Sequence, residues 1–297
     1  MRLRVKTQFR PYEPGEFDDN GEHSYEETIA LIQAFPWQSE RDHLRVDFTC
    51  PSITIEGPYH NFIKLGLFYH EKFVLYYLDS KKNLYIQSFT SIQDAFPDIH
   101  RFFDQAPSLS FDPAGFKREN TWLRSTGLHF NDGNFNYRVR YLRLIPSILF
   151  LLIYFAVSVV AILSLARIAV PASFIILYLF PFSFAMLIIA VLSLFLNHYR
   201  LCKDKVLVLS RGRDEFYYGP SDSPELYSKK EIDSVITYGR QGRGGYPMLT
   251  RVEINYKNGT SLNLSCLMID RDDLVNKFPA AQLEIKKRTF PFIPRGD

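Results

Sequence analysis

The stretch "LSLARIAVPAS", residues 163–173, decides how the chain is first read. It lies inside Leu144–Leu196, a block that carries no charged residue except Arg167. As one helix that block would run about 80 Å at ~1.5 Å per residue, against a bilayer core of ~30 Å. Broken at Arg167, it gives two spans of about 35 Å and about 37 Å, each able to cross once with some tilt. Leu, Ile, Val and Phe favour insertion by about 0.3–0.6 kcal/mol each, whereas an arginine at a helix centre opposes it by about 2.5–3.5 kcal/mol. At the interface Arg167 would keep its guanidinium in water. Pro171 suits the first turn of a second helix, where its missing N–H would be unpaired anyway. The expectation is therefore a membrane protein with a two-helix transmembrane hairpin: helix 144–166, tight turn 167–171, helix 172–196. A soluble core hairpin would need a polar face, and neither segment has one.

The flanks set the expected orientation. Arg138, Arg140 and Arg143 precede the block, and Arg200, Lys203 and Lys205 follow it. This basic collar predicts, by the positive-inside rule, that both termini are cytoplasmic, with the lipid bilayer and anionic lipid headgroups as partners. Cys50, Cys202 and Cys266 are odd in number and match no metal or redox spacing, which fits a reducing compartment. A net charge of +3, with neither flank strongly basic, argues against nucleic acid as a partner.

Residues 1–23 read as a loose lead-in, polar and acidic with Pro and Gly. An α+β module over 24–143 follows. Ser24-Tyr-Glu-Glu27 forms a capping box before "TIALIQAF", and Pro36 stops that helix. The runs "LRVDFTC", "SITIEG", "FIKLGLFYH", "KFVLYYLD" and "LYIQSF" predict strands of an antiparallel sheet. Ser91-Ile-Gln-Asp94 caps a second helix with Ile92, Phe96, Ile99 and Phe103 on one face. Asp132-Gly133 predicts a hairpin pairing "GLHF" with "NFNYRV".

Residues 197–297 read as a mostly-β module. "HYRLCKD", "KVLVLSR", "EFYYG", "EIDSVITYG", "TRVEINYK" and "TSLNLSCLMI" are successive strand candidates. Asn258-Gly259 is a two-residue hairpin signal. Asp270 caps a terminal helix ended by Pro279, so the expectation is a small barrel or sandwich capped by one helix.

Two apolar helices leading into "HYRLCKDKVLVLS", then "KKEIDSVITYGR", then "VEINYKNGTSLNLSCLMID", resemble bacterial two-transmembrane-helix proteins with a C-terminal pleckstrin-homology-like (PH-like) domain. The resemblance covers about residues 140–290 and implies a bacterial inner (cytoplasmic) membrane location, multi-pass. The large module ahead of the hairpin departs from the commonest form of that family. The run "FVLYYLDSKKNLYIQSFTSIQDAFPDIHRFF" faintly resembles modules of bacterial toxin-immunity proteins.

No phosphate-binding loop, nucleophile elbow or metalloprotease motif occurs, so no catalytic residue, cofactor or metal is assigned. His60 and His70 with Glu56 or Glu71 would make a metal site only by chance proximity. Asp270, Asp272 and Asp273 are explained by helix capping. The glycine-rich "YGRQGRGGYP" places Arg240 and Arg243 near Lys229, Lys230 and Arg251 in sequence. Those five residues are the candidate site for a phosphate or lipid headgroup, set against a plain solvated loop. The leading functional expectation is a non-enzymatic, membrane-anchored binding or scaffold protein with a protein partner. The alternative is an immunity protein neutralising a membrane-acting or membrane-delivered toxin; an enzyme with an unrecognised site, or a small channel or transporter subunit, comes third.

Overall fold

The computed structural model describes residues 1–41, 51–105, 113, 115–119, 126–139, 149, 153, 155–160, 163–164, 174–239, 250–279, 282–288 and 291–294, with side chains of 126, 174–185 and 187 excepted. The chain divides into two units: Met1–Asn134 with Ser210–Arg213, and Phe135–Leu209 with Asp214–Asp297. Three sheets and several helices make it mixed α/β.

The first unit is built on one antiparallel sheet. Its strands are β1 (Leu3–Gln8), β2 (Asp18–His23), β3 (Ser52–Glu56), β4 (Phe62–Leu67), β5 (Phe73–Leu78), β6 (Leu84–Phe89) and β7 (Lys117–Glu119), in the order β2-β1-β3-β4-β5-β6-β7. β1 and β2 correct the expected loose lead-in. β1 pairs in register with β3, placing residues 3–8 inside the sheet. Its lysine and glutamine disguised it, because they point to a face that is buried yet polar.

The sheet has two covered faces. Leu3, Val5, Ile53, Ile55, Ile63, Leu65, Leu75 and Tyr77 pack on one side against helices α1 (Tyr25–Ala34) and α3 (Phe96–Gln105), which supply Ile32, Ile99, Phe102 and Phe103. The short α2 (Trp37–Glu40) adds Trp37. On the other side Phe62, Val74, Tyr76, Leu78 and Leu84 pack with Phe130. Burial on both faces explains why β4 and β5 read as continuous apolar runs instead of alternating ones. The capping box at Ser24 forms as its sequence predicts, with Glu27 N–H donating to Ser24 Oγ and Ser24 N–H to the Glu27 carboxylate. The predicted strand "LRVDFTC" lies outside the described residues from 44 to 50.

The second unit holds two four-stranded sheets. One, in the order β11-β10-β9-β8, uses β8 (Asn136–Tyr137), β9 (Lys205–Val208), β10 (Glu215–Pro220) and β11 (Glu225–Ser228). The other, β14-β13-β12-β15, uses β12 (Ile232–Gly239), β13 (Arg251–Tyr256), β14 (Ser261–Ser265) and β15 (Leu283–Lys287), the last parallel to β12. Leu207, Phe216 and Tyr218 from one sheet meet Val235, Val252, Ile254 and Leu264 from the other in one apolar core. The helix α5 (Arg271–Val275) and the turn after it add Leu274 and Phe278. The Asn258-Gly259 hairpin forms with Gly259 at φ +83° and Asn258 Oδ1 accepting from Thr260 N–H.

Three expectations are corrected here. The Asp132-Gly133 hairpin does not form: Thr126–His129 is a 3-10 helix, and Asn136–Tyr137 pairs instead with Val208 and Leu207. "HYRLCKD" is not a strand, because α4 (Phe174–Cys202) runs through Cys202.

The third concerns the membrane. Among the described residues no helix is long and apolar enough to cross a membrane. The transmembrane hairpin over 144–166, 167–171 and 172–196 is corrected by that finding, and with it the membrane-protein class, the multi-pass inner-membrane location and the membrane anchor. Leu194 is buried while Leu192 and Leu196 are exposed, so one side of the helix is covered, and its last turns supply the buried His198 and Cys202 to the second unit. The turn 167–171 lies outside the described residues.

Candidate functional site

Of the five predicted basic residues, the three described ones are placed as follows. Lys229 and Lys230 precede β12, whereas Arg251 pairs with Tyr238 near its other end, and eight strand residues span about 25 Å. Lys229 is buried with its ammonium 6.0 Å from the Phe278 ring. Lys230 is exposed and pairs with Asp214 at 2.6 Å, which raises its pKa. Arg240 and Arg243 lie outside the described residues. In the collar, Arg138 and Arg200 are exposed, Lys203 lies 3.4 Å from Asp204, and Lys205 stands 5.0 Å over the Tyr218 ring. Arg140 and Arg143 lie outside the described residues.

His60 and His70 sit in turns at opposite ends of β4, both at positive φ. Among the described residues no three His, Cys, Asp or Glu side chains are grouped to hold a metal ion. Asp270 occupies the N-cap position of α5, where its carbonyl accepts from Leu274 N–H.

Two polar clusters escaped the sequence analysis. The first is the row Lys6–Thr54–Lys64 across β1, β3 and β4. Lys6 is buried and pairs with Glu56 and Asp132, each at 2.9 Å. Lys64, also buried, donates to Gln8 Oε1 at 2.9 Å and to the His129 carbonyl at 3.0 Å. Both ammonium groups face the Phe17 ring, at 5.8 and 5.5 Å. With two carboxylates on Lys6, this row is suited to holding β1 in the sheet rather than to chemistry.

The second cluster surrounds His198 in the second unit. His198 Nε2 donates to the Pro291 carbonyl at 2.9 Å, so in the neutral ring Nδ1 accepts from the Ser265 hydroxyl at 2.8 Å. Burial, and secondarily the Arg251 charge, hold its pKa below the ordinary imidazole range, against the Pro291 hydrogen bond. Asn197 accepts from Ile293 N–H at 2.8 Å and donates to Ile293 O at 3.0 Å. Arg251 donates to the Phe292 carbonyl at 3.2 Å while held by Asn263 and Glu253. The proline-bracketed run Pro-Phe-Ile-Pro at 291–294 was the signal available for this cluster. Asn197 and His198 were masked by their place at the end of an apolar run. Burial pushes the Cys202 thiol up to about 11 and the Cys266 thiol up to about 12, leaving both protonated and inert at neutral pH.

A family model described as a PH domain matches residues 136–277, so a PH-like domain is present in the C-terminal part. The match opens at β8 and closes just after α5, taking in both sheets except β15. No curated protein and no solved structure matches the chain. Within the matched span, β8 and β9 are hydrogen-bonded neighbours although residues 138–204 separate them in sequence.

Proposed function

We propose that the chain is a non-enzymatic binding or scaffold protein that engages another protein through its PH-like domain. The observation that carries this reading is the PH domain match over both sheets of the second unit. The side-chain chemistry supports it. The two described thiols are buried and protonated, and the one fully buried imidazole among the described residues is occupied on both nitrogens by Ser265 and Pro291. A nucleophile or general base would need an open path to a substrate.

The test is photo-cross-linking with the full chain in the cells that express it, competed by excess unlabelled chain, beside flotation with anionic and neutral vesicles. The expected result is a discrete cross-linked protein that unlabelled chain displaces. Binding confined to anionic vesicles, with no displaceable protein adduct, overturns the reading in favour of a headgroup ligand.

A further inference from the structure

The segment Pro291–Pro294 is held in an unusual way for the last strand-like piece of a β unit. Three successive carbonyls, of Pro291, Phe292 and Ile293, are received by the side chains of His198, Arg251 and Asn197. Asn197 also takes the Ile293 N–H, so its carboxamide reads both backbone groups of one residue as a neighbouring strand would. Pro291 and Ile293 are buried while Phe292 and Pro294 are exposed, the alternation of an extended peptide lying on a surface. The receiving groups are themselves held in place: Ser265 orients His198, and Asn263 and Glu253 orient Arg251.

Two facts separate this segment from the body of the domain. It lies beyond the span 136–277 that the PH domain model covers. Neither Pro291 nor Ile293 belongs to the apolar cluster that joins the two sheets. If the segment leaves, the groups uncovered include an imidazole, a carboxamide and a guanidinium, all of which water can satisfy. Just before it, Arg288 lies over the Tyr238 ring at 5.0 Å, the ring that Arg251 also meets at 4.9 Å, so the chain stays anchored beside the surface.

We propose that Asn197, His198 and Arg251 form a peptide-binding groove, occupied in cis by Pro291–Pro294, whose partner is an extended, proline-bracketed apolar peptide of the Pro-x-Ile-Pro kind. This rests on the reading of the chain as a protein-binding module and names the ligand that module takes. The contacts go to backbone atoms, so they select an extended peptide; Ile293 and Pro291 supply the side-chain selection. Prolines at 291 and 294 have no N–H to satisfy, and their fixed φ lowers the entropy lost on docking. The tethered segment competes at an effective concentration in the millimolar range, so an outside peptide gains entry when the segment is weakened or sequestered.

The experiment uses the full chain carrying Ile293→Asp, which stops the cis segment from docking and leaves the groove intact. The probe is a fluorescent peptide of residues 288–297, RTFPFIPRGD, read by anisotropy. The Ile293→Asp chain is expected to bind the probe saturably and at least about tenfold more tightly than the native chain. Adding Asn197→Ala is expected to weaken that binding by about tenfold, since two hydrogen bonds to Ile293 are lost. As a second route, a protease site inserted after Arg288 lets the segment be cut from the already folded protein and dialysed away. The remaining body is expected to keep its far-ultraviolet spectrum and rebind the probe. A folded chain that binds no probe by either route overturns the groove, and so does a cut chain that unfolds when the segment is removed. Both results leave the cross-linking outcome, and the protein-binding reading, unaffected.

Discussion

Lys6→Met offers the sharpest test of how the first unit is held together. The substitution keeps most of the side-chain volume and removes one buried charge. Lys6 is only 1 % exposed, and both of its carboxylate partners stand at 2.9 Å. Removing one partner of a buried pair costs about 3–5 kcal/mol, because the other charge is left uncompensated. The two carboxylates will share that cost unequally. The Asp132 side chain is 46 % exposed and keeps Arg4 at 3.8 Å, so it recovers hydration and a counter-charge. Glu56 is 21 % exposed and carries most of the loss. We therefore expect Lys6→Met to destabilise the first unit by about 3 kcal/mol, the low end of that range. With a urea m-value of about 2 kcal/mol/M, the midpoint should fall by roughly 1.5 M. Trp37 is buried in the core of this unit, so the change in its fluorescence on unfolding reports it. Glu56→Gln in the same chain should restore at least about 1 kcal/mol, giving a non-additive double-mutant cycle. A single substitution that shifts stability by less than about 0.5 kcal/mol, or a cycle that is additive, would refute the reasoning.

Three further outcomes are expected. His198 has a folded pKa below its ordinary 6.5, so between the two values the unfolded chain binds more protons and stability rises with pH. The second unit should therefore be most stable above pH 6.5 and weaken as pH falls from there toward the folded value, a slope that His198→Gln removes in urea titrations at successive pH values. Leu274→Ala deletes a fully buried side chain that α5 adds to the core of the second unit and should cost about 2–5 kcal/mol, seen as faster hydrogen exchange across β12 to β14. Ser24→Ala removes the cap of α1 and should cost about 1 kcal/mol by tryptophan-monitored unfolding, while Ser24→Asp should retain most of it.

The elements that were legible share one property: their hydrogen bonds close within a few residues. The box from Ser24 to Glu27, the Ser91 turn before α3 and the Asn258-Gly259 hairpin each state their conformation locally. The strands missed were those whose evidence lies elsewhere in the chain. β1 carries Lys6 and Gln8 inward, a pattern that makes sense only once Glu56, Asp132 and Lys64 are beside them. β15 is exposed along most of its length and is a strand because β12 offers it a parallel edge. Lys229 and Lys230 stand apart from Arg251 for a related reason, since nearness in sequence around β12 became about 25 Å of strand.

What the sequence determined by itself was the local grammar: caps, tight turns, and which runs are apolar enough to be buried. Those follow from bonds between near neighbours and from the transfer of side chains out of water, neither of which needs a partner to be named. Only the tertiary structure decided that residues 136–137 pair with 207–208 instead of folding back on 127–130. It alone brought Asn197, His198 and Arg251 onto the backbone of 291–293. Strand edges and side-chain amides accept any extended backbone with nearly equal strength. The choice among distant candidates is therefore made by which arrangement buries the most apolar surface without stranding a polar group, a property of the whole assembly and of no single stretch.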